Sequence, residues 1–485
     1  MSREITTYAS PGDAELREAV KETRRVNKRP PHPALILAVL ATAMFIAALD
    51  AFVVNVALTP IGSGVGETSL SKLSWILNGY TIVYAALLVP AGRLADRFGR
   101  KSGFLAGFGI FTAASLGAAL SGNLWVLVGF RFLQALGAAV LTPASLGLVL
   151  TTAPADRVKH YVRIWAASGS LAAAAGPVVG GLLVQISWQW IFRLNLPIGA
   201  AALIAAARLL PSTQPHSDTR IPDALGGALL VVGVGSLALG LVQGRDWGWS
   251  SSTITTIFAI AALSLILCLA RSARHEVPVL DLKLFTNRVF AWASVATLIF
   301  YTGFGMLLLG LTLWLQQAGH WSAIETGLGV APGPAMVFIA SAFAQRLAER
   351  IPVGVVAAVG GVLVAAGAAW MALHTSGQFD YASHILPGWM VAGVGVGLAV
   401  PTIISSATSG LAKDRAATGS AIVTMANQLG LVLGVSVLVV IVSSATPGNS
   451  AHTFATAWWA AAGLIVVSAL SALGITSRHS AMSAA

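Results

Sequence analysis

Two ionisable side chains stand well inside apolar runs of this chain: Asp50 in the run 35–58 and Arg131 in the run 124–150. An ionised carboxylate in such surroundings is costly, so it must be paired or protonated. At 1.5 Å per residue, both lie roughly 10 Å from the same end of their runs. Equal depth allows a pair between two helices, and such a pair could take up and release a proton. The alternative is a purely structural ion pair. Gln134 lies one turn beyond Arg131 on the same face, and Thr142 lies two turns further. That stripe could line a polar cavity or pack against a neighbouring helix. Asn55 faces away from Asp50 and is a lesser candidate for the cavity. Glu325 sits at the edge of its run, where a carboxylate reads more readily as an interfacial charge reaching water than as a substrate ligand.

The elements that must position these residues are membrane spans. The chain of 485 residues is 56% hydrophobic and 10% charged, where a soluble protein carries roughly 25% charged residues. No water-soluble core could bury that much apolar surface. Taking about 20 apolar residues per span, fourteen spans are predicted. They cover 35–58, 73–92, 103–121, 124–150, 162–184, 189–208, 224–243, 253–270, 290–314, 324–345, 353–373, 385–409, 417–443 and 454–475.

Charge placement tests this map. With the N-terminus inside, the outer loops carry only Lys72 and Arg245, while the inner segments hold the remaining Lys and Arg apart from Arg131 and Arg193, which lie within spans, as the positive-inside rule requires. The net charge of +11 is thereby a topological signal and not a nucleic-acid footprint. All tryptophans but Trp165 and Trp292 fall at outer ends, where indole rings favour the interface. A tail with Arg24, Arg25, Lys28 and Arg29 precedes the first run, so that run reads as a span and not a cleaved signal. Asp13 to Lys28 could form a short amphiphilic helix. The single cysteine, Cys268, permits no intrachain disulfide and no thiolate metal cluster.

Between the second and third spans runs Gly92-Arg93-Leu94-Ala95-Asp96-Arg97-Phe98-Gly99-Arg100-Lys101. Its basic residues can anchor the loop inside, and Asp96 can pair with Arg93, Arg97 or Arg100 near a helix end. The loop recurs in part as Arg346-Leu347-Ala348-Glu349-Arg350, at an offset of 253 residues. Gly137, Pro143, Asp156 and Arg157 recur as Gly395, Pro401, Asp414 and Arg415, at a constant 258. A duplicated membrane chain is the pattern of secondary transporters, whose site lies between the halves. The expected division is a cytoplasmic tail 1–33, a six-helix bundle 34–208, two inserted spans within 209–289, a second six-helix bundle 290–476 and a cytoplasmic tail 477–485.

These residues resemble the major facilitator superfamily and, more narrowly, its fourteen-span drug:proton antiporters. The loop Gly92–Lys101 matches the superfamily signature. The stretch 49–58, with Asp50 and Asn55, resembles the first-span motif of the fourteen-span group, with Phe52 where threonine is usual. Arg131-Phe132-Leu133-Gln134-Ala135-Leu136-Gly137 resembles the fourth-span motif implicated in proton transfer. Gly176-Pro177-Val178-Val179-Gly180-Gly181 resembles the fifth-span antiporter motif, and its glycines and Pro177 are expected to permit close helix approach and a bend. The stretch 188–197 is also typical of the group, with Arg193 where an apolar residue is usual. The resemblance implies an all-α major facilitator fold of two six-helix bundles plus two inserted helices, with proton coupling at Asp50 and Arg131.

No Gly-x-x-x-x-Gly-Lys-Ser/Thr phosphate loop and no segment long enough for an ATPase domain is present, so active transport would be ion-coupled. No nucleophile–base set or metal-ligand cluster is arguable, so neither an enzyme nor a cofactor is expected. The expected function is proton-coupled export of small amphipathic drugs or antibiotics across the cytoplasmic membrane, by a monomer whose partners are substrate, protons and lipid. Rival readings are a dedicated exporter of one metabolite, a passive facilitator, and a non-transporting sensor or scaffold.

Overall fold

A computed structural model describes residues 33–154, 156–211, 223–375, 379–409, 411, 413–443 and 449–475. The expected helix at Asp13 to Lys28 and both tails lie outside the described residues, apart from Pro33. Among the described residues, fourteen helical segments are long and apolar enough to cross a membrane, the sixth running Trp190–Leu209, and no strand occurs. In chain order they are α1 Pro33–Val65, α2 Trp75–Phe98, α3 Arg100–Ala119, α4 Leu124–Thr152, α5 Val158–Ile186, α6 Asn195–Leu209, α7 Ala224–Trp247 and α8 Ser252–Arg274. Then follow α9 Arg288–Gln317, α10 Ala323–Ala348, α11 Val353–Leu373, α12 Leu386–Ser409, α13 Lys413–Val442 and α14 Ser450–Ala472.

The first helix differs from its expected extent. It continues through Pro60 to Val65, about two turns past the apolar run. The continuation is held by packing. A Cβ on Gly62 would meet Leu73 at 2.7 Å, and Gly64 lies against the Trp188 ring. Asp50 therefore sits near the middle of a 33-residue helix and not near its end.

The duplication is visible in the packing. In the first bundle α3 and α4 meet backbone to backbone: a Cβ on Gly107 would fall 2.9 Å from the Gly137 carbonyl. In the second, α11 and α12 meet in the same way, and a Cβ on Gly360 would fall 2.7 Å from the Gly395 carbonyl. Small residues let membrane helices approach this closely, where lipid gives no hydrophobic drive to associate.

The bundles α1–α6 and α9–α14 join at the end of the molecule where Trp188 and Trp321 lie. Thr59 of α1 donates to Gln316 Oε1 of α9 (2.7 Å), and Gln316 Nε2 donates to the Val56 carbonyl (3.0 Å). Asn78 of α2 donates to Ser436 of α13 at 3.3 Å. On the opposite flank α5 abuts the first two turns of α10: a Cβ on Gly181 would meet the Ile324 Cα at 2.6 Å, and Gly327 lies against the Pro177 carbonyl. The pair α7–α8 is a hairpin whose first helix packs on both α2 and α13. Asp223 caps α7 and is clamped by Arg271 of α8 (2.6 Å).

Candidate functional site

The site is built on α1, whose Asp50 is 2% exposed. Opposite it α4 carries Arg131, 1% exposed, and the two form a direct ion pair. The guanidinium is oriented from two further sides. Its Nε donates to the Ile76 carbonyl at the start of α2 (3.1 Å), and its plane lies over the Tyr80 ring, 4.2 Å from the centroid. One turn along α4, Gln134 accepts from Arg131 through Oε1 (3.0 Å) and donates through Nε2 to Asp50 (3.2 Å) and to Ser115 of α3 (2.8 Å). Asn195, the first residue of α6, donates to Asp50 at 2.9 Å and to Ser115 at 3.2 Å. Ser115 in turn donates to the Phe111 carbonyl.

Five helices thus contribute to one network around a single carboxylate. Its polar neighbours Arg131, Gln134 and Asn195 are all donors, so the network balances with Asp50 ionised. Every member is buried, and such a network is costly to leave half-satisfied. A proton placed on Asp50 would cancel its charge and turn one of its two oxygens into a donor, facing side chains that already donate. The arrangement can therefore convert protonation into a change in how α1, α4 and α6 hold together.

The expected pairing of Asp50 with Arg131 is present, and Gln134 belongs to the same network without lining open space. Thr142 does not reach it: it accepts from the Tyr84 hydroxyl two turns further along α4 (3.3 Å). Asn55 donates to its own helix at Ala51 (3.1 Å), half-buried and away from Asp50. Glu325 lies at the edge of its span, the position of an interfacial charge. It is exposed at the rim, where Ser322 and Glu325 form a reciprocal capping box at the start of α10. The Ser-x-x-Glu spacing already encodes that role. Three members were missed by sequence reasoning: Asn195, Ser115 and Tyr80. Asn195 carried a signal, since a lone amide near the end of an apolar run needs a partner. Ser115 carried none, because a serine can bond to its own helix.

The conformational motifs have distinct contacts. Gly99 adopts φ 96°, a left-handed value that favours glycine, and it lets α2 break and α3 begin at once. Arg100 donates to the Gly147 carbonyl of α4 (2.8 Å), and Lys101 donates to the Ala207 and Leu210 carbonyls at the end of α6 (3.0 and 2.6 Å). Gly92 packs on Pro143, with a Cβ contact of 3.1 Å. Arg93 and Arg97 are half-buried, and the Asp96 side chain lies outside what the structure describes. In α5 the two sides of the fifth-span motif serve different partners. Gly176 and Gly180 face α1 at Phe52 and Val53, just past Asp50, while Pro177 and Gly181 face α10 of the other bundle. The helix α5 therefore packs on the helix that carries Asp50 and also on the other bundle. Arg193 lies over the Trp190 ring, 5.5 Å from its centroid.

Two duplicated bundles, fourteen spans and a sealed ion pair beside the inter-bundle contact define a multi-pass secondary transporter. A family model described as Major Facilitator Superfamily matches residues 40–435, and the chain belongs to that superfamily. Similar proteins include a methylenomycin A resistance protein of Bacillus subtilis (strain 168). It is 33% identical over 431 residues, covering 88% of this chain and 89% of the relative. A multidrug resistance protein B homolog of Mycobacterium tuberculosis (strain ATCC 25618 / H37Rv) is 30% identical, covering 84% of this chain and 75% of the relative. Among solved structures, a peptide transporter POT in complex with sulfate superposes with a TM-score of 0.66 at 18% identity, covering 91% of this chain and 95% of that one. That likeness concerns the fold alone.

Proposed function

We propose that this chain is a proton-driven exporter of amphipathic drugs or antibiotics, located in the cytoplasmic membrane with both termini inside. The observation that carries the proton part is the Asp50 network: one carboxylate, deep in the bundle, with three donors and no water-facing edge. The relatives named for resistance to methylenomycin A and to multiple drugs support the export part. The Lys and Arg distribution supports the orientation. In that orientation the contacts of Thr59, Gln316, Asn78 and Ser436 hold the two bundles together toward the outer side. The moving units are 34–208 and 290–476, with 209–289 carried between them, in a protein that works as a monomer. Proton uptake from outside would release Arg131 from Asp50, and its discharge inside would restore the network seen here.

The test is proton release from purified protein in liposomes on addition of methylenomycin A or ethidium. Asp50→Asn is expected to abolish that release. If the variant releases protons like the parent, the carrier is another group and Asp50 is a structural partner of Arg131. A dedicated exporter of one antibiotic is the second reading, favoured by the single-compound name of the Bacillus relative. A resistance panel in a pump-deficient host separates the two.

A further inference from the structure

The start of α2 stands between the charged network and the other bundle. Its Ile76 carbonyl accepts from Arg131, and one turn on, the Tyr80 ring covers the guanidinium. Between them Gly79 lies against the Phe132 ring, so this turn is seated on the part of α4 that carries Arg131. Asn78 leaves the turn on the other side, about 160° around the helix axis from both Ile76 and Tyr80. There it donates to Ser436 of α13 at 3.3 Å. One helical turn thus touches the ion pair with one face and the opposite bundle with the other.

The bond between Asn78 and Ser436 is buried at both ends, Asn78 being 1% and Ser436 0% exposed. The bond from Thr59 to Gln316, which also joins the bundles, lies at an exposed position. Ser436 directs its own hydroxyl proton to the Val432 carbonyl (2.8 Å), so toward Asn78 it is an acceptor. It is also firmly placed, because Gly430 and Gly434 of α13 lie against the Leu298 and Thr302 carbonyls of α9. Asn78 is satisfied on one side only: its side-chain oxygen is buried with no partner. A buried acceptor without a donor is held at a cost. A position of α2 further from α13 relieves that cost by giving the oxygen a donor or water, so the contact is poised to open.

We infer that Asn78 is the positioning residue that couples the charge state of the Asp50–Arg131 pair to the contact between the bundles. This rests on the proton-driven reading above. With Asp50 ionised, Arg131 is drawn to α1 by charge and to α2 by the Ile76 carbonyl and the Tyr80 ring. A proton on Asp50 cancels the first attraction and leaves the second. The guanidinium then settles toward α2, the turn 76–80 shifts on α4, and Asn78 comes away from Ser436. Loss of the proton reverses the sequence. Asn78 touches neither proton nor substrate and acts through Arg131 on one side and Ser436 on the other.

The experiment compares the parent with Asn78→Leu, Ser436→Ala and the double variant in three measurements. These are proton release on addition of ethidium or methylenomycin A, exchange of the same compounds without a gradient, and their gradient-driven uptake into inside-out vesicles. Both single variants are expected to keep proton release and exchange within twofold of the parent, because Asp50 and its donors are untouched. Their gradient-driven uptake is expected to fall at least tenfold. The double variant is expected to lie within twofold of Asn78→Leu, since both changes remove one bond. Each variant is checked for parental yield and melting temperature, and Ser436→Ala, which removes a single hydroxyl, carries the test where Asn78→Leu does not fold. Parental gradient-driven uptake in the folded variants overturns the inference and leaves the export reading standing. Loss of exchange together with uptake also overturns it, because the bond is then a structural contact alone. A parent that releases no protons with either compound overturns the export reading and the inference with it.

Discussion

At the scale of single residues, the site is organised by supply and demand for hydrogen bonds around Asp50. Asp50→Asn replaces an acceptor-only group with one that must also donate, toward three neighbours that already donate. Gradient-driven export is expected to vanish while substrate exchange without a gradient persists, measured as counterflow in liposomes. Arg131→Ala leaves the carboxylate buried without its cation, a change of the kind that costs about 3–5 kcal/mol. A drop in melting temperature together with an altered pH profile of transport is expected. An unchanged melting temperature would show that Gln134 and Asn195 suffice to hold the charge. The charged members were legible in the sequence because charge is rare inside spans. Asn195 and Ser115 were not, because neutral polar residues are common there and their partners come from helices far away in the chain. Glu325 was legible as an edge charge, and its three-residue spacing from Ser322 binds it to its own helix end.

At the scale of elements, close approach through glycine makes the inter-helix contacts and also defines what would break them. Gly180→Leu would drive a side chain into α1, where a bare Cβ already meets the Val53 carbonyl at 2.9 Å. The expected outcome is an expressed protein with export below a tenth of the parent, read as substrate uptake into inside-out vesicles. Parental export would mean that α5 packs on α1 with slack. The inserted hairpin offers a pH test. Burial pushes the Asp223 carboxyl up, but the Gly226 N–H and the Arg271 guanidinium bond to its charged form and together hold it below its ordinary value of 3.8. A lowered folded value means the contribution is full above that ordinary value and is lost as pH falls through the lowered one. Asp223→Asn is thus expected to melt earlier than the parent at neutral pH, with the gap closing below pH 3.8. A gap that persists there would assign the effect to capping alone. Element boundaries were less legible than element identity. The outer turns of α1 carry Pro60, Gly62, Ser63 and Gly64, which end an apolar run without ending a helix that Trp188 and Gln316 hold in place.

At the scale of the whole molecule, span count and duplication were open to reading because the bilayer imposes length and the insertion machinery imposes charge asymmetry. Single cysteines test the resulting map: Ser250→Cys should react with an impermeant thiol reagent from outside, and Ser217→Cys, which lies outside the described residues, only from inside. Labelling of Ser217→Cys from outside would remove or invert the inserted pair. The halves differ in charge: at the 258-residue offset Arg131 of the first bundle corresponds to Trp389 of the second.

The placement of the hairpin has a consequence for molecules dissolved in the surrounding lipid. Two lateral seams separate the bundles, one between α5 and α10 and the other between α2 and α13. Among the described residues, α7 lies along the second and not along the first. A hydrophobic compound diffusing in the bilayer therefore meets two unequal doors, one facing it directly and one behind a curtain of the protein's own chain.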